Sequence, residues 1–182
     1  MRALANVIEL VLIRRGTLMI KTARLLLPLL MLPALASAQD VTRHKLPNGN
    51  PFPISAAVEV PPGKTLVYLS GMVPPVSDPK AAKDSPAAYG DTKTQTTGVL
   101  AAIQAELERL HLTMGDVIKM QVFLVGDPAK GGKMDFEGFM QGYTQYFGTP
   151  VQPNLPVRSA FQVAALANPG FLVEIEVTAV RP

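Results

Sequence analysis

The chain has 182 residues, 48% hydrophobic and 17% charged, with 14 glycines, 17 prolines and no cysteine, which excludes disordered, collagenous and disulfide-built scaffolds and any thiol chemistry. The formal charge is +3, but five basic residues and one acid lie before residue 39, so the remainder carries 12 basic and 13 acidic residues. With those charges interspersed and no Arg-rich or aromatic-basic stretch, a nucleic-acid partner is excluded.

Lys21 to Arg24 precede an apolar run from Leu25 to Leu35 that closes on Ala36-Ser37-Ala38. This is the pattern of a secretory signal peptide cut after Ala38. The run is about half of the roughly 20 residues a membrane anchor requires. A second apolar patch, Val7 to Ile13, lengthens the leader, and a start at Met19 gives a signal of ordinary size. Residues 1–38 are therefore expected to be removed on export to the periplasm or the exterior. Residues 39–182 then form a single domain with no stable membrane span.

Within that domain, Val41 to Lys45, Ile54 to Val60 and Leu66 to Val73 are expected strands, and Pro75 to Gly90 an exposed loop. Thr92 with Gln95 fits a capping box ahead of Val99, Ile103, Leu107 and Leu110 at helical spacing, which predicts a helix over 92–111. Val117 to Val125 alternates, with Ile118, Met120, Val122 and Leu124 on its buried side. Met134 to Phe147 carries Phe136, Phe139, Met140, Tyr143 and Phe147 at helical intervals, and Ser159 to Ala164 and Leu172 to Val180 are the last strands. The result is an α/β (α+β) domain of order β-β-β-α-β-α-β-β. Two helices cover one face of a six-stranded sheet, so the other face, with Lys119, Gln121, Glu174 and Glu176, is either hydrated or pressed against another subunit.

Few residues offer chemistry. His44 and His111 stand far apart and no cluster has metal-ligand spacing; His111 suits a helix C-terminal cap. Ser70-Gly71 lacks a nucleophile-elbow sequence. Gly126 to Met134 is one residue too long for a phosphate loop and has Met134 where Ser or Thr is needed. Arg158 and Glu174 are the notable pair. Antiparallel pairing of their strands would put guanidinium and carboxylate in one cleft, the Arg to fork onto a substrate carboxylate and the Glu to activate water. A plain interfacial salt bridge is the alternative, and Glu176 could equally be the partner.

Several stretches in order carry a resemblance: Leu66-Val-Tyr-Leu-Ser-Gly-Met-Val-Pro74, Thr94 to Leu107, Asp116 to Leu124, Tyr143 to Phe147, Pro156-Val-Arg-Ser-Ala-Phe-Gln-Val163 and Val173-Glu-Ile-Glu-Val-Thr-Ala179. Over these the chain resembles the Rid family of reactive intermediate deaminases, also called YjgF-like proteins. The resemblance implies a chorismate mutase-like fold, a homotrimer with clefts between subunits, and hydrolysis of 2-imino or enamino acids to 2-keto acids and ammonia without metal or organic cofactor. It assigns carboxylate binding to Arg158, water handling to Glu174, and the cleft lining to Ser70 and Gly71. The chain departs from the family at Ile54, where a Tyr is frequent, at Met140, where an Asn is common, and at Ala160, often Cys, all of which make the pocket more apolar. A trimer that binds a small carboxylate without turnover, and a structural or chaperone-like trimer, are the alternative readings.

Overall fold

The structure, a computed structural model, describes residues 40–182 together with the backbone of residues 13–14 and 17–18. The chain divides into two units, Met1–Ser37 and Ala38–Pro182. In the first, Ile13 pairs with Leu18 and Arg14 with Thr17 in a short antiparallel ladder; the expected signal peptide otherwise lies outside the described residues. No helix among the described residues is long and apolar enough to cross a membrane.

The second unit contains β1 (Thr42–Lys45), β2 (Ser55–Glu59), β3 (Leu66–Met72), α1 (Thr92–Arg109), β4 (Val117–Val125), α2 (Phe136–Tyr143), β5 (Val157–Val163) and β6 (Val173–Val180). All six expected strands and both helices are present. The strands divide four and two, however. β3, β6, β4 and β5 form a mixed sheet in that order, with β4 and β5 parallel and the other pairs antiparallel. β1 and β2 form a separate antiparallel hairpin.

The hairpin approaches β5 through the Ser55 N–H, which donates to Pro156 O at 2.9 Å, and the Ser55 hydroxyl, which donates to Leu155 O at 2.6 Å. Pro156 has no N–H with which to return a bond, so the ladder does not extend into a continuous six-stranded sheet. Arg43 ties the other side of the hairpin to the start of β4, with Nη2 donating to Gly115 O (2.9 Å) and Val117 O (3.2 Å).

Strict alternation sorts the side chains of β4 and β6. Met120, Val122, Leu124, Val173, Ile175, Val177 and Ala179 are buried beneath the helices. They meet Val99, Leu100, Ile103 and Leu107 of α1 and Phe139 and Tyr143 of α2 in one core. Burying each such large side chain stabilises the fold by roughly 1.5–3 kcal/mol. The opposite face carries Lys119, Gln121, Phe123, Glu174, Glu176 and Thr178, all partly or fully exposed.

Three local expectations are corrected. The N-cap of α1 is Asp91, not Thr92: its carboxylate accepts from Thr94 N at 2.8 Å. Gln95 is instead a buried pin whose amide donates to Gly90 O and Gly170 O and accepts from Leu172 N. α2 runs over Phe136–Tyr143 rather than Met134 to Phe147, because Asp135 caps Gly138 N and the last turn tightens to a Tyr146 N to Tyr143 O bond. The stretch Pro75 to Gly90 is not simply exposed. Ala88 and Tyr89 are buried, and the Tyr89 hydroxyl donates to Lys83 O at 2.9 Å. Gly126 to Met134 is a plain connection organised by Asp127, which bonds to Ala129 N and bridges to Lys133.

Candidate functional site

Arg158, the second residue of β5, pairs in register with Met120 and so points to the helix-covered side of the sheet. There it meets the aromatic stripe of α2. Its Cζ lies 4.3 Å from the Tyr143 ring centroid, 4.9 Å from Phe139, 5.9 Å from Phe136 and, from the segment before β2, 5.3 Å from Phe52. Ring faces stabilise a cation by about 0.5–2 kcal/mol each at best. They do not replace the hydrogen bonds that a buried guanidinium loses with water.

Nη1 of Arg158 is buried and has no hydrogen-bond partner, and no ion pair among the described residues involves Arg158. Burial lowers its pKa, while the neighbouring Tyr143 acts in the opposite direction. The same burial pushes the Tyr143 hydroxyl up to about 12, so it stays protonated, donating to Pro53 O at 2.8 Å. Arg158 is among the residues lining a cleft of about 290 Å³ between the hairpin and the first residues of β5, with Leu46, Ile54, Ser55, Lys119 and Ser159. Guanidinium groups pair with carboxylates through two parallel N–H donors.

Glu174 lies on the other face. It pairs with Phe123, while Arg158 belongs to the Met120 and Val122 side. The expected antiparallel pairing of their strands is corrected: β4 stands between β5 and β6, and one chain does not bring guanidinium and carboxylate together. Nor is the alternative salt bridge formed within the chain. Glu174 instead meets Gly71. The β3–β6 register shifts between Leu69 and Met72, and in this bulge a Cβ added at Gly71 would collide with Glu174 Oε1 and lie 2.9 Å from its Cδ. Ser70, exposed beside Gly71, lines a second cleft of about 340 Å³ with Tyr68, Lys119, Gln121 and Glu176.

Of the residues read from the sequence, Ser70, Gly71 and Glu174 gather at the β3–β6 bulge and Arg158 stands apart with Ile54. Met140 is half-buried against the core, and Ala160 pairs with Val122. His44 contacts Glu59 on the exposed hairpin at 2.6 Å, and His111 follows α1 with a positive φ of 58°. No group of metal-ligating side chains occurs among the described residues. The aromatic surround of Arg158 is absent from the sequence reading, although Phe136, Phe139 and Tyr143 repeat at helical spacing and Arg158 stands second in its strand.

A mixed sheet with two helices on one face, a buried arginine at one end and a carboxylate at a bulge make up an α+β domain. The model of the family described as endoribonuclease L-PSP matches residues 42–181. The chain belongs to this family, that of the YjgF, RutC and Rid proteins, whose general role is small-molecule binding or deaminase-type chemistry. A RutC family protein of Pyrococcus horikoshii is 31% identical over 131 residues, covering 72% of this chain and 91% of the relative. The structure of Escherichia coli TdcF with bound serine is similar at 31% identity and a TM-score of 0.51, covering 68% of this chain and 85% of that one. The fold is shared with the Rid family protein YyfB of Yersinia pestis, at 24% identity and a TM-score of 0.57, over 79% of this chain and 100% of that one.

Proposed function

We propose that this protein is a cofactor-free hydrolytic deaminase of reactive 2-imino or enamino acids, working as a homotrimer whose sites lie between subunits. The observation that carries the reading is Arg158, whose buried Nη1 has no hydrogen-bond partner and which is among the residues lining an open cleft. A substrate carboxylate supplies the missing acceptor. The serine bound by TdcF, a relative 31% identical to this chain, is likewise a small amino acid with a free carboxylate, which supports that class of ligand.

The chemistry asks for three things: an anchored carboxylate, a water delivered to an already electrophilic C=N carbon, and a group to move protons as ammonia leaves. Arg158 holds the substrate. Glu174, positioned against Gly71 and beside Ser70, orients the water and takes its proton. Because these groups sit on opposite faces of one sheet, the Glu174 that serves a given Arg158 comes from a neighbouring subunit. The exposed rings of Tyr68 (73% exposed) and Phe161 (48%) on the Glu174 face favour its being covered by another copy. An RNA substrate, which the family's description suggests, would call for a basic surface, yet residues 39–182 have fewer basic than acidic residues.

Generating 2-iminopropanoate in situ with an amino-acid oxidase and following its decay by semicarbazide trapping tests the reading. Faster decay with the protein, lost in Arg158→Ala, supports it; equal decay with both, each folded, overturns it. The separation of Arg158 from Glu174 within one chain favours, as second reading, a protein that binds a small carboxylate without turnover, for which ligand raises thermal stability while imine decay is unchanged. The chain is further proposed to be exported through a signal peptide ending at Ala38. N-terminal sequencing of the mature protein should then begin at Gln39.

A further inference from the structure

We propose that Asn48 is a site of spontaneous succinimide formation, where the chain exchanges a side-chain amide for a carboxylate; the inference is independent of the role given to Arg158. Asn48 and Gly49 lie in the connection between β1 and β2, both in the left-handed region, at φ 57° and φ 67°. Gly and Asn are the residues that accept this conformation at least cost. Pro47 to Phe52 are all exposed, and the turn closes on an Asn50 N–H to Pro47 O bond of 3.2 Å. Little packing therefore resists the rearrangement that brings the Gly49 nitrogen onto Asn48 Cγ.

The step is a ring closure. The Gly49 nitrogen, having given its proton to base, attacks Asn48 Cγ; the N–Cγ bond forms, the Cγ–Nδ2 bond breaks and ammonia leaves with a proton from water. Water then cleaves the five-membered imide at one of its two carbonyls. Cleavage at Cγ leaves aspartate in the original backbone, and cleavage at the α-carbonyl leaves an isoaspartyl link that runs through the β-carbon. Either product puts a negative charge in the connection leading to Phe52, whose ring lies 5.3 Å from Cζ of Arg158.

Each other asparagine among residues 40–182 lacks a requirement. Asn50 and Asn168 precede Pro51 and Pro169, which have no N–H to lose. Asn154 precedes Leu155, whose side chain crowds the attack, and its Nδ2 is tied to Gly115 O at 3.2 Å. Gly49 alone presents an N–H with no side chain beside it.

Peptide mapping by mass spectrometry of the full-length protein, incubated at neutral and at mildly alkaline pH, tests this. The amide-to-acid mass gain should appear at Asn48 at least about tenfold more than at Asn154 and rise with pH. In heavy-oxygen water the product should carry one heavy oxygen, and a protein isoaspartate methyltransferase should label the aged wild type but not Asn48→Gln. An Asn48 that stays intact while a free peptide of residues 44–52 is converted would overturn the proposal, as would equal conversion at Asn154. Conversion with no methyl-accepting product would overturn the imide route.

Discussion

The guanidinium of Arg158 lies over the ring of Tyr143, 4.3 Å from its centroid, while the Tyr143 hydroxyl donates to Pro53 O at 2.8 Å. One side chain of α2 thus supports the proposed anchor and fixes the segment that carries Phe52 and Ile54. The core, the anchor and the cleft wall are joined at this point.

Tyr143 gives a pH dependence with a definite sign. Its pKa is pushed up to about 12, first by burial, against which the Arg158 charge works. An unfolded tyrosine ionises near 10, so above that pH the unfolded chain sheds a proton the folded chain keeps, and stability falls as pH rises toward 12. The total loss is roughly 2–3 kcal/mol. Urea denaturation of the wild type and Tyr143→Phe at pH 8 to 12 checks this. The variant should be less stable by about 1 kcal/mol at pH 8, from the unpaired Pro53 carbonyl, and the gap should close at about pH 11 and reverse above it, because the variant has no phenol to ionise.

Gly71→Ala should inactivate by displacement. The added methyl occupies the space of the Glu174 carboxylate, so that side chain must swing away. Imine hydrolysis is expected to fall by about 10²-fold or more, close to the effect of Glu174→Gln, while carboxylate affinity at Arg158 changes little. Steady-state kinetics set beside titration with a 2-oxo acid separates the two effects.

Gln95→Leu should destabilise the fold by about 2–4 kcal/mol, because it removes two donors and one acceptor from groups that water does not reach. Chemical denaturation measures this. Protection from hydrogen exchange should drop most at Leu172, whose N–H donates to Gln95 at 2.7 Å.

The alternation of β4 and β6 made the sheet faces legible from sequence, because a period of two assigns each side chain to the core or the outer face wherever a strand runs. Alternation carries no information on which strands are neighbours. β5 and β6 follow one another along the chain, yet β4 lies between them, and so Arg158 and Glu174, paired from sequence, stand on different faces. The hairpin posed a similar difficulty: a proline at 156 breaks the ladder that its strand pattern implies. Gly71 was legible as part of a family-like stretch, but its reason, space for a carboxylate at a bulge, depends on a register shift that only the folded chain displays. The cap of α1 was misplaced by one residue because Asp91 and Thr92 are both good caps and Gln95 has a tertiary role.

Complementation tests most directly whether the anchor and the water-handling group of one site come from different subunits. Arg158→Ala and Glu174→Gln chains, each inactive alone, are unfolded together, refolded and assayed for imine hydrolysis. In randomly mixed trimers about a quarter of the intersubunit sites combine an intact Arg158 with an intact Glu174, so the mixture should recover about a quarter of wild-type activity. A mixture as inactive as its components, with mixed trimers demonstrated by mass spectrometry, would contradict the shared site.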